Sequence, residues 1–331
     1  MSYDFINSAV QVCQSLLGVW VREIDRPGGS SRRSVRVHTD DGSLIVTRRS
    51  NPKRASLEAA VLEALHGHGA PVPRVLAFDG VWLVQEDLGG RRLSQALAGA
   101  DPAQGDAWLA AALESLARTH RAGTAAGLER RVVTLGGGRG WRAELAAMPA
   151  RLANHLDLPA PPLAEQELID LLGVGEPRFI KWDARPGNAI ACDDGTIAWF
   201  DWEHCGARNR LDDAAWLLGD EYAADRPETE EALLAQYLPD FADGREVQAA
   251  AAYLAAYGTF HMCVRLSLIL KQKGEGAWWN ADYCLARDKV GVTPDAARKI
   301  CRRAGRWASR SSLTEALTTW FETLEQRIVS L

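Results

Sequence analysis

One segment, residues 179–201, constrains this chain more than any other part of it. It begins FIKWDARPGNAI and passes through a polar turn, residues 193–195, into a second apolar run that ends at Asp201. We interpret the two apolar runs and the turn as a β-hairpin. This arrangement would bring the side chains of Asp183, Asn188 and Asp201 to the same end of two short strands.

These three side chains offer carboxylate and amide oxygens, which are the ligands that hard divalent cations prefer. Mg²⁺ usually takes one or two such oxygens from a protein and completes its shell with water and substrate phosphates. The sequence therefore predicts a metal site at Asn188 and Asp201, beside Asp183. The alternative is a polar turn between two core strands, because Asp and Asn are also common turn residues.

The spacing D-x4-N, an apolar hairpin and then F-D resembles the catalytic segment of the aminoglycoside phosphotransferase and choline kinase superfamily. The resemblance implies that Asp183 is the catalytic base facing an acceptor hydroxyl, and that Asn188 holds a metal. It also implies that Asp201 bridges this metal to nucleotide phosphates. The chain departs from the family at Lys181, where the family usually has a His that holds the loop.

The same resemblance implies an α+β, two-lobed protein-kinase-like fold. A small N-terminal antiparallel sheet with a helix would precede a larger, mostly helical C-terminal lobe. A length of 331 residues also favours two lobes, since one hydrophobic core seldom serves a chain of this size. We expect an N-terminal nucleotide-binding lobe at 1–88, a hinge near 85–90, and a catalytic and substrate-binding lobe at 89–331.

Periodicity in the first fifty residues predicts a helix over 4–17 and strands over 19–24, 34–38 and 43–48. The glycine-rich turn between the first two strands lies where the fold places a loop over the nucleotide phosphates. Glycine lets backbone amides approach an anion closely. The candidate phosphate-binding residues are Gly28, Gly29 and Ser30. The alternative is a turn with no ligand.

The third strand carries a second departure from the family, which has a Lys there that reaches the α- and β-phosphates. This strand ends in Arg48 and Arg49. We expect Arg48 to contact phosphate, with Arg49 as second choice, although an Arg fork differs in reach from an ammonium. The alternatives are that both arginines are solvated, or that Lys53 makes the contact. The resemblance makes Glu58, on the next helix, the partner of the strand cation.

Residues 56–90 resemble the helix, loop, strand and hinge that follow in the family. The hinge candidates are Glu86 and Leu88, whose backbone groups would bond to an adenine ring. A polar linker between lobes is the alternative interpretation of this stretch. Further along, His120 is predicted to be a packed structural residue. Asp213, or else Asp212, is predicted to hold the catalytic loop from the start of a helix.

Composition excludes several classes of protein. A formal net charge of −5 does not favour nucleic acid as a partner, and the sequence contains no continuous apolar run of about 18 residues that would span a membrane. The N-terminus does not have the pattern of a signal peptide. Six scattered cysteines indicate a reduced, cytoplasmic protein. The sequence makes no prediction of oligomeric state.

Charge is unevenly distributed in the last third of the chain. Residues 212–246 contain eleven acids and two bases, whereas residues 265–310 contain eleven bases and four acids. In the kinase-like fold the first stretch lies beside the acceptor cleft, so an acidic wall would attract a cationic acceptor. Solvated helix faces are the alternative for most of these charges.

Together these patterns predict an ATP- and Mg²⁺-dependent phosphotransferase that moves the γ-phosphoryl group to a hydroxyl of a small molecule. GTP as the donor would leave the same signature. The short interval from Asp201 to Asp213 argues against a protein kinase, since it leaves no room for a peptide-binding activation segment. The rival prediction is a catalytically impaired nucleotide-binding pseudokinase or scaffold, based on Lys181 and the missing strand Lys.

Overall fold

The computed structural model describes residues 3–29 and 32–331. Ser30, one of the predicted phosphate-binding residues, lies outside the described residues.

Five antiparallel strands form the sheet of the N-terminal lobe, in the order β1-β2-β3-β5-β4. They are β1 (Glu23–Asp25), β2 (Ser34–Thr39), β3 (Gly42–Arg48), β4 (Val75–Asp79) and β5 (Trp82–Glu86). The first strand is shorter than predicted. Its ladder with β2 runs from Glu23 to Asp25, and it is preceded by a backbone hydrogen bond from the N–H of Arg22 to the carbonyl of His38.

The first helix, α1 (Tyr3–Leu17), covers one face of this sheet. Its buried residues pack against valines that alternate along the strands, as the period of two in a half-buried strand requires. This small core contains Phe5, Ala9, Cys13, Val35, Val37, Val46 and Val84. The other face of the sheet is therefore left for the second helix and for the cleft.

The second helix, α2 (Pro52–Gly67), begins at an N-cap formed by Asn51, whose side chain accepts from the backbone N–H groups of Lys53 and Arg54. It buries Leu62 and Leu65 in the same core as Leu83 of β5. This packing carries Glu58, which is almost fully buried, under the sheet and toward the cleft.

The chain leaves the sheet through residues 87–90, after β5, and a side-chain network fixes this segment. Asp87 accepts hydrogen bonds from Arg36 of β2 and from Ser43 of β3, the latter at 2.7 Å. Gly90 has a φ of +56°, and a Cβ there would overlap the carbonyl of Ala191. The lobe boundaries predicted from the sequence, 1–88 and 89–331 with a hinge near 85–90, stay a prediction.

The C-terminal lobe is mostly helical. Its α-helices are α3 (Leu93–Ala98), α4 (Pro102–Ala125), α5 (Arg139–Ala146), α6 (Met148–His155), α7 (Glu165–Leu171), α8 (Leu211–Leu218), α9 (Pro227–Phe241), α10 (Val247–Lys273), α11 (Ala281–Ala286), α12 (Pro294–Ala308) and α13 (Leu317–Val329). Among the described helices, α10 is long and apolar enough to cross a membrane, but most of that apolar window is buried inside the protein. A helix that is apolar all round is also what the centre of a large core requires.

Five short strands complete this lobe. They are β6 (Arg91–Arg92), β7 (Arg178–Ile180), β8 (Ala189–Ala191), β9 (Ile197–Trp199) and β10 (Gly206–Arg208). The hairpin is β8–β9, with β6 beside β8, whereas β7 pairs with β10 in a separate sheet. Asp183 therefore lies in the loop that joins the two small sheets, between β7 and the β8–β9 hairpin. The α+β, two-lobed architecture itself is confirmed.

The acids and bases that the sequence separates pair across the helical lobe. The two stretches face each other, so acids near α8 and α9 receive guanidinium groups from α10 and α12. The closest pairs are Arg265–Glu221 at 2.6 Å, Arg306–Asp225 at 2.5 Å and Arg303–Glu230 at 3.2 Å. These pairs neutralise much of the acidic stretch within the lobe, so it offers less free charge to an acceptor than the sequence indicates.

Candidate active site

The loop after β7 has an unusual backbone. Trp182 and Asp183 have φ angles of +53° and +59°, and Asp201, just past β9, has +62°. Such angles are uncommon outside glycine, and they are real outliers for bulky side chains. Each costs on the order of 1–3 kcal/mol and persists only where the surroundings fix it. The surroundings of this loop are therefore informative.

Asp213 provides much of that fixation from the first turn of α8. Its carboxylate accepts from the backbone N–H groups of Lys181 at 2.8 Å and Trp182 at 2.9 Å, and it is bonded to His120 at 2.8 Å. The predictions of Asp213 as the loop-holding acid and of His120 as a packed structural residue are both confirmed. Asp212, the alternative, pairs instead with Arg208.

Asp183 and Asn188 are joined directly. The side-chain nitrogen of Asn188 donates to the Asp183 carboxylate at 2.7 Å and to its carbonyl at 3.0 Å. An amide that donates through nitrogen keeps its oxygen for another partner. Burial raises the pKa of the Asp183 carboxyl, although Arg185 and Lys181 oppose the rise. The pair thus presents a carboxylate with increased proton affinity next to a free amide oxygen.

Lys181, where the related family usually has His, is fully buried. Its Nζ donates to the backbone carbonyl of Asp201 at 3.0 Å and lies 5.0 Å from the ring centre of Trp202. Burial lowers the pKa of this ammonium group, and the nearby carboxylates of Asp183 and Asp201 oppose that effect. Lys181 therefore connects the loop after β7 to the end of the hairpin.

Asp201 faces Arg49, which comes from the N-terminal lobe. Arg49 donates to Glu58 twice at 2.6 Å, to Asp201 at 2.7 Å and to Glu203 at 3.1 Å. Burial opposes ionisation of Asp201, but Arg49 and Lys181 outweigh it and hold the pKa of Asp201 below its ordinary value. Burial likewise opposes the charge on Arg49, yet its acidic partners raise its pKa.

The structure puts Arg49, and not Arg48, against Glu58. Strand parity explains the difference, since alternate residues of a strand face opposite sides. Ile45 and Thr47 line the cleft, and Arg49 continues that series one residue past the end of β3. Arg48 is exposed and lies 5.6 Å from the ring centre of Trp82, on the edge of the cavity.

The cleft between the lobes contains a cavity of about 480 Å³. Seven arginines and five acids line it, so the net charge of its charged residues is positive. The predicted site residues on its wall are Gly28, Arg48, Glu86, Leu88, Asn188 and Asp201. Gly29, with a φ of +92°, lies in the turn next to Gly28, and Glu58 lies behind Arg49. The structure brings most of the predicted residues around one cavity.

The donor atoms in the cleft suit a hard cation. The side-chain carbonyl oxygen of Asn188 and the carboxylate of Asp201 could serve as two oxygen ligands, which is the protein share that Mg²⁺ usually takes. Within residues 3–29 and 32–331, no group of three or more His, Cys, Asp or Glu side chains is arranged to hold a metal. A cation here would need further ligands from water and phosphate.

Sequence reasoning missed several residues of the cleft. Gln85 lies on the cavity wall, and Arg36 bonds to Asp87 beneath the hinge. Arg92 and Asp288 also line the cavity and approach each other to 3.3 Å. The alternation of Ile45, Thr47 and Arg49 was a signal that could have been found. No sequence signal could have identified Asp288, because its partners are far away in the sequence.

A small antiparallel sheet, a mostly helical lobe and a polar cleft between them define a kinase-like phosphotransferase fold. A family model described as the phosphotransferase enzyme family matches residues 23–253. The chain belongs to that family, and the resemblance found in its sequence is confirmed. A search of curated proteins found no match.

Solved structures with this fold cover most of the chain. An aminoglycoside phosphotransferase from Alicyclobacillus acidocaldarius is 13% identical with a TM-score of 0.55, covering 96% of both chains. Amicoumacin kinase hAmiN, solved with AMP-PNP, Ca²⁺ and its antibiotic, is 14% identical at 0.55. Spectinomycin phosphotransferase APH(9)-Ia, solved with ADP and spectinomycin, is 9% identical at 0.55. Each of the last two covers 88% of this chain and is itself covered to 98%. At these identities the likeness shows the fold.

Proposed function

We propose that this protein transfers the γ-phosphoryl group of ATP to a hydroxyl group of a small molecule, with Asp183 as the catalytic base. The observation that carries the proposal is the hydrogen bond between Asp183 and Asn188, because Asn188 lies on the wall of a positively charged interlobe cavity. The kinase-like structures solved with amicoumacin or spectinomycin support a small molecule as the acceptor.

The acceptor end of the reaction belongs to Asp183. An acceptor hydroxyl within hydrogen-bond reach of this carboxylate would be oriented and would lose its proton there as the new bond forms. The raised pKa of Asp183 increases the proton affinity of the base. Asn188 fixes the carboxylate through its 2.7 Å hydrogen bond, so the base is held in place before the acceptor arrives.

The donor end belongs to the cavity beside the hinge. Glu86 and Leu88 line it, and we expect their free backbone groups to bond to a nucleotide base. Arg49 is our choice for the contact with the α- and β-phosphates. Asn188 and Asp201 would hold Mg²⁺, which when bound would neutralise charge on the transferring group. GTP is the alternative donor, and a cytoplasmic location is proposed with the reaction.

The rival proposal, a nucleotide-binding protein without turnover, also has an observation in its favour. Arg49 lies 2.7 Å from Asp201, so a guanidinium group holds the carboxylate that a metal would need. A pseudokinase could keep that ion pair permanently. Nucleotide binding would not separate the two proposals, whereas phosphoryl transfer would.

The test is phosphoryl transfer by the purified chain with ATP and Mg²⁺. The acceptor panel should contain aminoglycosides, amino alcohols, sugars and nucleosides, with product detected by mass. Asp183→Asn is the loss-of-base variant. Asp193→Asn is its matched control, because Asp193 is an exposed acid in the turn of the β8–β9 hairpin.

We expect one acceptor class to gain a phosphoryl group with the unchanged chain and with Asp193→Asn, and not with Asp183→Asn. That result would also name the acceptor. Transfer that survives Asp183→Asn would remove Asp183 from the mechanism. Absence of transfer across the panel, together with no shift of the melting temperature by MgATP, would refute the kinase proposal.

A further inference from the structure

Three arginines from separate parts of the chain converge on Asp288, in the loop after α11. Arg32, just after the glycine-rich turn, donates to the Asp288 carboxylate and to its carbonyl, both at 2.7 Å. Arg92 of β6 lies 3.3 Å from the same carboxylate and donates to the carbonyl of Gly187. Arg185, from the catalytic loop, donates to the second carboxylate oxygen. The cluster therefore joins both lobes.

In the part of the chain that the structure describes, Asp288 is the one carboxylate that all three guanidinium groups contact, while the carboxylates of Asp183, Asp220 and Glu221 act on Arg185 from further away. Each guanidinium has five N–H donors, of which Asp288 can satisfy only a few. The Nε of Arg185 is buried without a hydrogen-bond partner among the described residues. Burial lowers the pKa of Arg92, Asp288 opposes the effect, and the neighbouring Arg32 and Arg185 add to it. An additional anion would satisfy both the charges and the donors.

The arginines cover Asp288 from the side of the solvent. The exposed fraction of the side chain is 3% for Asp288, 10% for Arg185, 17% for Arg92 and 40% for Arg32. The side chains of Arg32 and Arg92 are therefore more accessible to a ligand in the cavity than the carboxylate of Asp288. Guanidinium forks match the geometry of phosphate oxygens.

The backbone that carries Asp288 is fixed on the side away from the cleft. The next residue, Lys289, donates from its backbone N–H to the carbonyl of Cys284 at 2.8 Å. Its own carbonyl accepts from the hydroxyl of Tyr222 at 2.7 Å. Asp288 is thus a rigid anchor, and it is not a mobile group that an incoming anion would displace.

We propose that Arg32, Arg92 and Arg185 form a binding site for the terminal phosphates of a polyphosphate ligand, and that Asp288 is the positioning residue that holds them together. Arg32, Arg92 and Asp288 line the same cavity as the proposed metal ligands. The identity of the ligand as a nucleotide rests on the proposed function. The ligand class, a polyphosphate anion, follows from the arginines alone.

The test is calorimetric titration of the full chain with sodium tripolyphosphate, which has no base and requires no transfer. Asp288→Asn removes a negative charge near the site, so Coulomb attraction alone predicts tighter binding. If Asp288 holds the three arginines together, the variant should instead bind tripolyphosphate about tenfold more weakly, because the arginines would separate. Asp282→Asn is the charge-matched control, since Asp282 is an exposed acid on α11.

A double-mutant cycle tests whether Asp288 acts through the arginines. Arg32→Gln, a partly exposed position that should fold normally, is expected to weaken tripolyphosphate binding by about tenfold. The Arg32→Gln, Asp288→Asn double variant should bind about as weakly as either single variant, because residues of one network are not additive.

Three outcomes would overturn the proposal. They are tighter or unchanged binding by Asp288→Asn, no effect of Arg32→Gln, or additive effects in the double variant. If Asp288→Asn fails to fold, Arg32→Gln alone still decides. If tripolyphosphate binds as expected but the chain transfers no phosphoryl group, the arginine site stands and the proposed reaction fails. If the chain transfers a phosphoryl group but its variants do not change tripolyphosphate binding, the proposed reaction stands and the arginine site fails.

Discussion

Arg49 is the residue that connects the N-terminal sheet to the end of the catalytic segment. Its fork reaches Glu58 below, and Asp201 and Glu203 across the cleft. Glu58 is almost completely buried, and the backbone N–H of Trp202 is its other donor. Without Arg49, a buried carboxylate would lose its cation.

The neighbouring arginines should therefore respond very differently to truncation. Arg49→Ala is expected to lower the free energy of unfolding by about 3–5 kcal/mol, the usual cost of leaving a buried charge unpaired. Arg48→Ala should change it by less than about 0.5 kcal/mol, as most exposed substitutions do. Urea denaturation of both variants measures the difference, and equal losses would contradict the assignment of Arg49 as the buried partner of Glu58.

The ionised Asp183 is expected to lower the folding stability of the chain, although the proposed reaction needs it as the base. Its pKa is raised in the folded state, so folding becomes less favourable as the pH rises from the ordinary aspartate value of 3.8 through the folded value. Asp183→Asn should therefore unfold at higher temperature than the unchanged chain at neutral pH, and this gain should shrink toward acid pH. Turnover should fall by at least about 100-fold. Melting curves across the pH range check the first expectation.

At the scale of residues, the sequence predicts what local spacing encodes. The interval from Asp183 to Asn188 is short, so the chain itself brings the two together. The sequence favours Arg48 over Arg49 for the phosphate contact, because it does not show which side of the sheet a residue faces at the end of a strand. Asp288 could not be predicted, since its partner Arg32 is 256 positions away and only the tertiary fold brings them together.

At the scale of elements, α8 and the catalytic loop form one unit. The carboxylate of Asp213, in the first turn of α8, receives the backbone N–H groups of residues 181 and 182. These bonds hold a backbone with positive φ at Trp182 and Asp183. The first turn of a helix is a favourable position for the carboxylate that holds the loop, because the helix dipole stabilises negative charge there.

Asp213→Asn tests that unit without changing its size. The amide would have one acceptor where the carboxylate has two, so one donor among Lys181, Trp182 and His120 would lose its partner. We expect the free energy of unfolding to fall by about 2–3 kcal/mol. Turnover should fall with it, as the loop relaxes. Chemical denaturation measures the first effect, with the exposed Asp170→Asn on α7 as control. A loss no larger than that of the control would exclude a holding role.

Element existence was predicted more accurately than element pairing. The apolar runs and the turn at residues 193–195 indicated strands, and β8 and β9 form the hairpin. The pairing of β7 with β10 has no local signal, because each strand has three residues and the β8–β9 hairpin lies between them in the sequence.

At the scale of the whole molecule, buried ion pairs connect helices that are distant in sequence. Glu230 of α9 is buried, and its carboxylate accepts from Arg303 at 3.2 Å and from Trp307. The charge asymmetry of the last third of the chain was visible in the sequence. The sequence could not show whether these charges are solvated or paired, because a solvated helix face and a buried ion pair have the same composition.

Glu230→Gln should therefore cost about 3 kcal/mol of unfolding free energy, because Arg303 would remain buried without its counter-charge. The matched control is Glu144→Gln. Glu144 pairs with Arg151 on the surface, where both side chains are more than half exposed. Exposed pairs contribute about 0–1 kcal/mol, so the control should stay close to the unchanged chain. Similar losses of unfolding free energy in the two variants would show that the buried pair of Glu230 contributes no more to stability than the exposed pair.

The contact between Arg49 and Asp201 has a consequence for the sequence of binding events. The carboxylate already has a resident counterion, so a bare magnesium ion would have to expel a guanidinium group at 2.7 Å and would gain only one protein charge in return. An ion delivered together with a polyanion meets a different situation, because the polyanion offers Arg49 a new partner at the same moment. Loading of the proposed donor complex would then be concerted, and the empty cleft would discriminate against free divalent ions.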